Sequence, residues 1–164
     1  MGQSAIYPGS FDPLTYGHLD LIKRASRIFS QVIVAVSHNS HKKPLFTIEE
    51  RLAMLKEATR GMKHIKVEAF DGLVIDYARR QKIPVLIRGL RMISDFEYEL
   101  QMALTNRRLD EKIETVFLMP SEGYSFLSST LLKEAAFLGA NISSFVPGFV
   151  EKRLKERLKD ENRR

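Results

Sequence analysis

Five short apolar runs alternate with segments of helical periodicity, and this alternation leaves the chain few architectures. The runs stand at Ala5–Tyr7, Val32–Val36, Ile65–Phe70, Val85–Ile87 and Thr115–Met119. Helical patterns near His18–Phe29, Ile48–Thr59, Leu73–Gln81 and Phe96–Leu109 lie between them. Repeated strand–helix units of this length predict a parallel sheet covered on both faces. Two helix starts carry capping-box signatures, Thr47 with Glu50 and Ser94 with Glu97. Two further helices are expected at Ser129–Leu138 and Phe149–Lys159, the last with an apolar stripe of Val150, Leu154 and Leu158. No repeat, linker or low-complexity stretch interrupts the pattern. The expected organisation is a single α/β domain over residues 1–164, closed by a basic helix at about 148–160. Its sheet is a Rossmann-like, doubly wound, five-stranded parallel sheet of order 3-2-1-4-5.

That topology says where a ligand would bind. Open parallel sheets hold ligands outside the carboxyl ends of their strands, where the strand order reverses. Here the reversal falls between the first and fourth strands. The first runs into YPGSFDPLTYGH, Tyr7 to His18, in which Gly9, Ser10 and Pro13 suit a tight turn and Gly17 precedes His18 at a helix start. Helix amino termini attract anions through unpaired N–H groups, and a histidine placed there adds a donor. The fourth strand ends in Ile87-Arg88-Gly89-Leu90-Arg91, a glycine between two arginines. Two anion-seeking turns therefore converge on one crevice.

Composition narrows the classes. Of 164 residues 44% are hydrophobic and 28% charged, ordinary for a globular protein. No run of about 18 apolar residues predicts a membrane span. The amino terminus lacks a signal-peptide pattern, and Ile6 stands where a myristoylation signal needs Ser or Thr. The absence of cysteine excludes disulfides, thiolate metal sites and a cysteine nucleophile. A cytoplasmic protein is expected. The net charge of +6 fits an anionic partner. Much of the excess lies between Lys152 and Arg164, alternating in sign like a solvated helix face, which argues against nucleic acid as the partner.

Individual residues refine the crevice. His18 suits a transition-state stabiliser better than a base for a protein nucleophile, because neither a triad pattern nor a G-x-S-x-G turn accompanies it. Of the pair Lys42 and Lys43 after the second strand, Lys42 is placed to reach a phosphate. His38 and His41 lack a third metal ligand and are expected to be exposed loop residues. Arg88 ends a buried strand, where its fork would hold a phosphate or an internal carboxylate such as Glu99 or Asp95. Glu99 would suit a ribose hydroxyl. Ser128, Ser129 and Thr130 would cap a helix or hold phosphate oxygens.

The T-x-G-H element at Thr15–His18 and the SST helix start near Ser129 resemble the nucleotidyltransferase α/β superfamily. YPGSFDPLTYGH, KKPLFT at Lys42–Thr47, LIRGLR at Leu86–Arg91, DFEYE at Asp95–Glu99 and FLMPS at Phe117–Ser121 resemble bacterial phosphopantetheine adenylyltransferases. The resemblance implies transfer of AMP from ATP to 4′-phosphopantetheine, giving dephospho-coenzyme A and pyrophosphate. It also implies Mg2+ held through the ATP phosphates, a hexamer, and feedback inhibition by coenzyme A, with neither nucleic acid nor membrane as partner. By position, His18, Lys42 and Arg91 would be catalytic, and Ser10, Lys42, Val74 and Arg88 would bind phosphopantetheine. ATP would meet Ser10, Phe11, His18, Gly89, Leu90, Arg91, Glu99, Tyr124, Ser125, Phe126, Leu127, Ser128, Ser129 and Thr130. Ser10 and Val74 depart mildly from the commonest family residues, but keep a hydroxyl and an apolar wall.

Overall fold

A computed structural model describes residues 2–38 and 43–161. Five parallel strands, β1 (Ser4–Gly9), β2 (Gln31–Ser37), β3 (Ile65–Phe70), β4 (Val85–Gly89) and β5 (Glu114–Leu118), form one sheet in the order β3-β2-β1-β4-β5. The helices are α1 (Tyr16–Ile28), α2 (Ile48–Ala58), α3 (Val74–Gln81), α4 (Ile93–Leu109), α5 (Ser129–Phe137) and α6 (Gly148–Glu161). This is the expected α/β fold with the expected strand order.

The two-residue period of a strand divides the core. Ala5, Tyr7, Val32, Val34, Val36, Val85 and Ile87 meet Leu21 and Ile22 of α1, Met54 and Leu55 of α2, Leu132 of α5, and α6. Ile6, Ile33, Ala35 and Leu86 meet Ile75, Tyr77 and Ala78 of α3. Helix α4 behaves differently. Ile93, Phe96, Tyr98, Leu104 and Leu109 are all exposed on it, while Glu99 is buried. No helix among the described residues is long and apolar enough to cross a membrane.

Element ends test the local signals. The α2 box forms: Glu50 N–H donates to Thr47 Oγ1 at 3.3 Å and Thr47 N–H to Glu50 Oε2 at 2.8 Å. The box expected at Ser94 is not the N-cap expected of it. Helix α4 starts at Ile93 with Met92 as its N-cap and no side-chain cap. Asp95 in the first turn complements the helix dipole and pairs with Arg91 at 3.2 Å, which stabilises the earlier start. Strand β1 extends past Tyr7 because Pro8 and Gly9 stay in register with Ala35 and Val36.

The carboxy-terminal helix corrects another expectation. Its face is docked rather than solvated. Val150 and Leu154 are fully buried and Leu158 nearly so, while Arg153 and Arg157 reach Glu57 and Glu50 of α2.

Helix α1 crosses β4 at Gly89, and the glycine is what permits the approach. A Cβ there would stand 2.5 Å from Leu21 Cδ1. Because Leu21 is itself buried, it cannot swing into open space. Gly89→Ala should destabilise the fold by about 1–3 kcal/mol, the scale of overpacking. Urea unfolding would measure this, and Leu21→Val in the same chain should recover part of it. An unchanged midpoint would show that α1 retreats freely.

Candidate active site

The connection from β1 to α1 is built almost entirely from buried residues. Phe11 holds a left-handed backbone (φ 49°), a conformation that is strained for a bulky side chain. Its ring is fully buried, edge-on to Tyr7 at 5.4 Å and to His18 at 5.0 Å. Phe11 thus forms the wall behind the histidine, leaving its main chain to face a ligand. Ser10 before it is exposed.

In helix α1, Thr15 is the N-cap and His18 is the third helical residue. Thr15 Oγ1 accepts the His18 N–H at 3.3 Å, and the Thr15 N–H donates to His18 Nδ1 at 3.1 Å. A backbone N–H can only donate, so Nδ1 is the acceptor and the neutral ring carries its proton on Nε2. Burial, with help from the positive charge of Arg91, lowers the His18 pKa from 6.5 to about 4. At neutral pH the ring is uncharged, with one donor left after capping. Gly17 lies beneath Tyr124, whose carbonyl oxygen would be 3.5 Å from a Cβ at that position.

Across the crevice, Arg88 and Glu99 form a bidentate pair. Nε donates to Oε2 at 2.7 Å and Nη2 to Oε1 at 2.6 Å, while Nη1 reaches the Pro8 carbonyl at 3.2 Å. Burial works against the Arg88 charge, but the hydrogen bonds and charge of Glu99 outweigh it and raise its pKa. Arg88 thereby joins β4 to β1 at the switch point. Arg91 donates to the Leu127 carbonyl, tying β4 to the segment before α5. The Leu90 N–H is taken by the Leu118 carbonyl at 3.0 Å.

The hydroxyl cluster divides its work. Ser128 is the N-cap of α5, yet its side chain makes no capping bond, leaving the first amides of that helix without a side-chain cap. Ser129 Oγ donates to the Pro13 carbonyl at 2.9 Å, docking α5 on the β1–α1 connection. Ser125 Oγ donates to Glu122 O within a 3-10 turn, Thr130 is exposed, Leu127 is buried, and Phe126 packs edge-on against Phe145.

The fold therefore gathers Ser10, Phe11, His18, Arg88, Glu99, Arg91 and the Tyr124–Thr130 segment around one switch point. Val74 stands apart as the first residue of α3, packed against the other core. Lys42 and His41 lie outside the described residues. His38 is exposed and paired with Asp71 at 2.9 Å. Lys43 and Lys133 border an open groove of about 730 Å³ with Phe137, Leu138 and Leu158.

Sequence reasoning missed three buried or half-buried supports. Asp12 accepts from the Leu45 and Phe46 N–H groups, both at 2.9 Å, and pairs with Lys133 at 2.7 Å. Asp20 accepts from the Ser121 N–H at 2.7 Å and from Arg24 at 2.9 Å, fastening the β5–α5 connection to α1. Arg51 sits on the apolar stripe of α2 with Met54 and Leu55. A charged residue at a core position of an amphipathic pattern was the available signal.

A cytidylyltransferase-like family model matches residues 6–135. A phosphopantetheine adenylyltransferase of Thermodesulfovibrio yellowstonii is 53% identical over 160 residues, 97% of this chain and 99% of that protein. One from Gloeobacter violaceus is 56% identical over 153 residues, 93% of this chain and 95% of that protein. Among solved structures, a bifunctional NMN adenylyltransferase/ADP ribose pyrophosphatase of Francisella tularensis, complexed with AMP and a manganese ion, superposes with a TM-score of 0.70. At 15% identity, covering 99% of this chain and 53% of that one, it is similar in fold.

The state assigned to His18 is measurable. In the ligand-free protein, nitrogen NMR should show an Nε2-protonated neutral ring that titrates near pH 4 rather than 6.5. The unfolded chain would take up this proton below about 6.5 and the folded chain only near 4. Stability contributed by the neutral ring is therefore full above pH 6.5 and declines as pH falls towards 4. A His18→Gln variant should lose that part of the pH dependence of Tm. A midpoint near 6.5 would mean the ring is solvated.

Proposed function

Because the chain belongs to the phosphopantetheine adenylyltransferase family of nucleotidyltransferase enzymes, we propose that it joins ATP and 4′-phosphopantetheine by direct in-line displacement. A phosphate oxygen of phosphopantetheine forms a bond to the α-phosphorus of ATP, and the bond from that phosphorus to the bridging oxygen of pyrophosphate breaks. The products are dephospho-coenzyme A and pyrophosphate. The nucleophile is already an anion, so positioning and charge stabilisation carry the catalysis and no strong general base is needed.

The observation that carries this reading is the hydrogen-bond arrangement of His18. Its Nδ1 is held by Thr15 and its ring is backed by Phe11, which leaves a preorganised Nε2–H donor for charge developing on the transferred phosphate. Ser10 and the α5 amino terminus offer a hydroxyl and amides to the phosphates. Arg88, braced by Glu99, and Lys42 hold phosphopantetheine, with Val74 along its arm. Gly89, Leu90, Arg91, Glu99 and Tyr124 to Thr130 surround ATP. Glu99 would share its oxygens between Arg88 and a ribose hydroxyl.

The donors at the crevice are cations, hydroxyls and amides, which complement phosphate oxygens rather than ligate a hard cation. Magnesium accordingly enters with ATP, held through its phosphates. The exposed apolar side chains of α4 support an oligomer, which we read as a hexamer, and coenzyme A would act as feedback inhibitor in the cytoplasm.

Pyrophosphate release should occur with ATP and phosphopantetheine, but not with CTP, nicotinamide mononucleotide or glycerol phosphate in either role. Release from another pair would reassign the substrates. His18→Ala should lower kcat by ~10²–10³, the scale of losing one transition-state donor. Undiminished turnover would remove His18 from the mechanism. Arg88→Lys, which keeps the charge but loses the fork, should raise the KM for phosphopantetheine by about tenfold. An unchanged KM would leave Arg88 a purely internal partner of Glu99.

A further inference from the structure

Arg51 is 2% exposed within α2, and burying a guanidinium is costly unless its donors are matched. No carboxylate among the described residues lies within ion-pair distance of it. Its partners are main-chain carbonyls instead. Nη1 donates to Ser10 at 2.8 Å and to Ser37 at 3.2 Å, and Nε donates to Thr47 at 3.3 Å. These carbonyls belong to three separate segments at the mouth of the crevice: the turn after β1, the end of β2, and the N-cap of α2.

An apolar side chain would fill the same space at lower desolvation cost. What the fork adds is geometry, since it fixes Ser10 relative to β2 and α2. Asp12 secures the same region from the other side through the Leu45 and Phe46 amides. Ser10 itself is exposed, and its hydroxyl has no hydrogen-bond partner among the described residues. Its carbonyl is gripped while its side chain stands open to the crevice.

We propose that Arg51 is a positioning residue for phosphate recognition, holding the Ser10 main chain so that the Ser10 hydroxyl meets the phosphate of phosphopantetheine. This rests on the reading of Ser10 as a phosphate ligand. Lysine cannot replace the arginine, because a single ammonium has no fork to span three carbonyls.

The test is a double-mutant cycle of Arg51→Lys and Ser10→Ala, with phosphopantetheine varied at saturating ATP and pyrophosphate as the readout. Each single variant should raise the KM for phosphopantetheine by about tenfold, the scale of one misplaced hydrogen bond, with kcat within about threefold. Since Arg51 acts through Ser10, the double variant should be no more than about threefold worse than the poorer single one. Multiplied effects, about a hundredfold together, would overturn the proposal, as would a wild-type KM in Arg51→Lys. If thermal melting shows that Arg51→Lys does not fold, Arg51→Gln, which leaves no buried charge, takes its place in the cycle with the same expected and opposing outcomes. An inactive wild-type enzyme with this substrate pair would overturn the reading of the reaction itself, and this proposal with it. An active wild type with independent effects would overturn only the role of Arg51.

Discussion

The reciprocal bond between Thr15 and His18 is the constraint on which the crevice depends. One interaction satisfies a helix-start amide, fixes where α1 begins and selects the tautomer of the histidine. Helix packing then follows from that start, because Leu21 and Ile22 must meet the sheet in a fixed rotation. The ring's two nitrogens serve different levels of organisation. Nδ1 belongs to the fold and Nε2 remains for a ligand. A histidine that merely capped, or merely faced solvent, would do one of these and lose the other.

Charge is handled at the crevice by fixing it in place rather than by excluding it. Arg88 is neutralised by Glu99 and anchored on the Pro8 carbonyl, so its position is set before any ligand arrives. Arg91 is held by Asp95 and the Leu127 carbonyl, close enough to depress the His18 pKa. The positive potential is therefore carried by immobile groups around an uncharged imidazole. Preorganised donors of this kind need little rearrangement when charge develops on a bound phosphate. The start of α5, without a side-chain cap, adds amides to the same field.

How much of this the sequence disclosed depended on the range of the interactions involved. Strand order, core faces and the Thr47–Glu50 box rest on periodicity and on neighbours three residues apart, and these are local. The Arg88–Glu99 pair stands in the sequence as an open alternative to a phosphate contact, and its members are 11 positions apart. The Asp12–Lys133 contact spans 121 residues and the Asp20–Ser121 contact 101, so no local pattern announces either. Ser94 fails as a cap because a capping box describes a possible bond, while the actual start of α4 is decided by Asp95 and Arg91. Gly89 suits close approach to a ligand when seen in its own turn, but the space of its missing Cβ is occupied by Leu21 from another element.

The basic carboxy-terminal helix makes the same point about distance, with a consequence for the site. Its alternating charges look solvated when read along one helix. In the fold, Arg157 pairs with Glu50 and lies over the Phe46 ring at 5.6 Å. Glu50 is the residue that caps α2 at Thr47, and the Thr47 carbonyl accepts from Arg51. Arg51 in turn grips the Ser10 carbonyl. A continuous set of polar contacts thus runs from the last helix to the turn that faces the ligand, backed by the buried Val150, Leu154 and Leu158 stripe. Part of the net positive charge is matched inside the molecule in this way. The charge that remains at the crevice is set by the fold, not by the total.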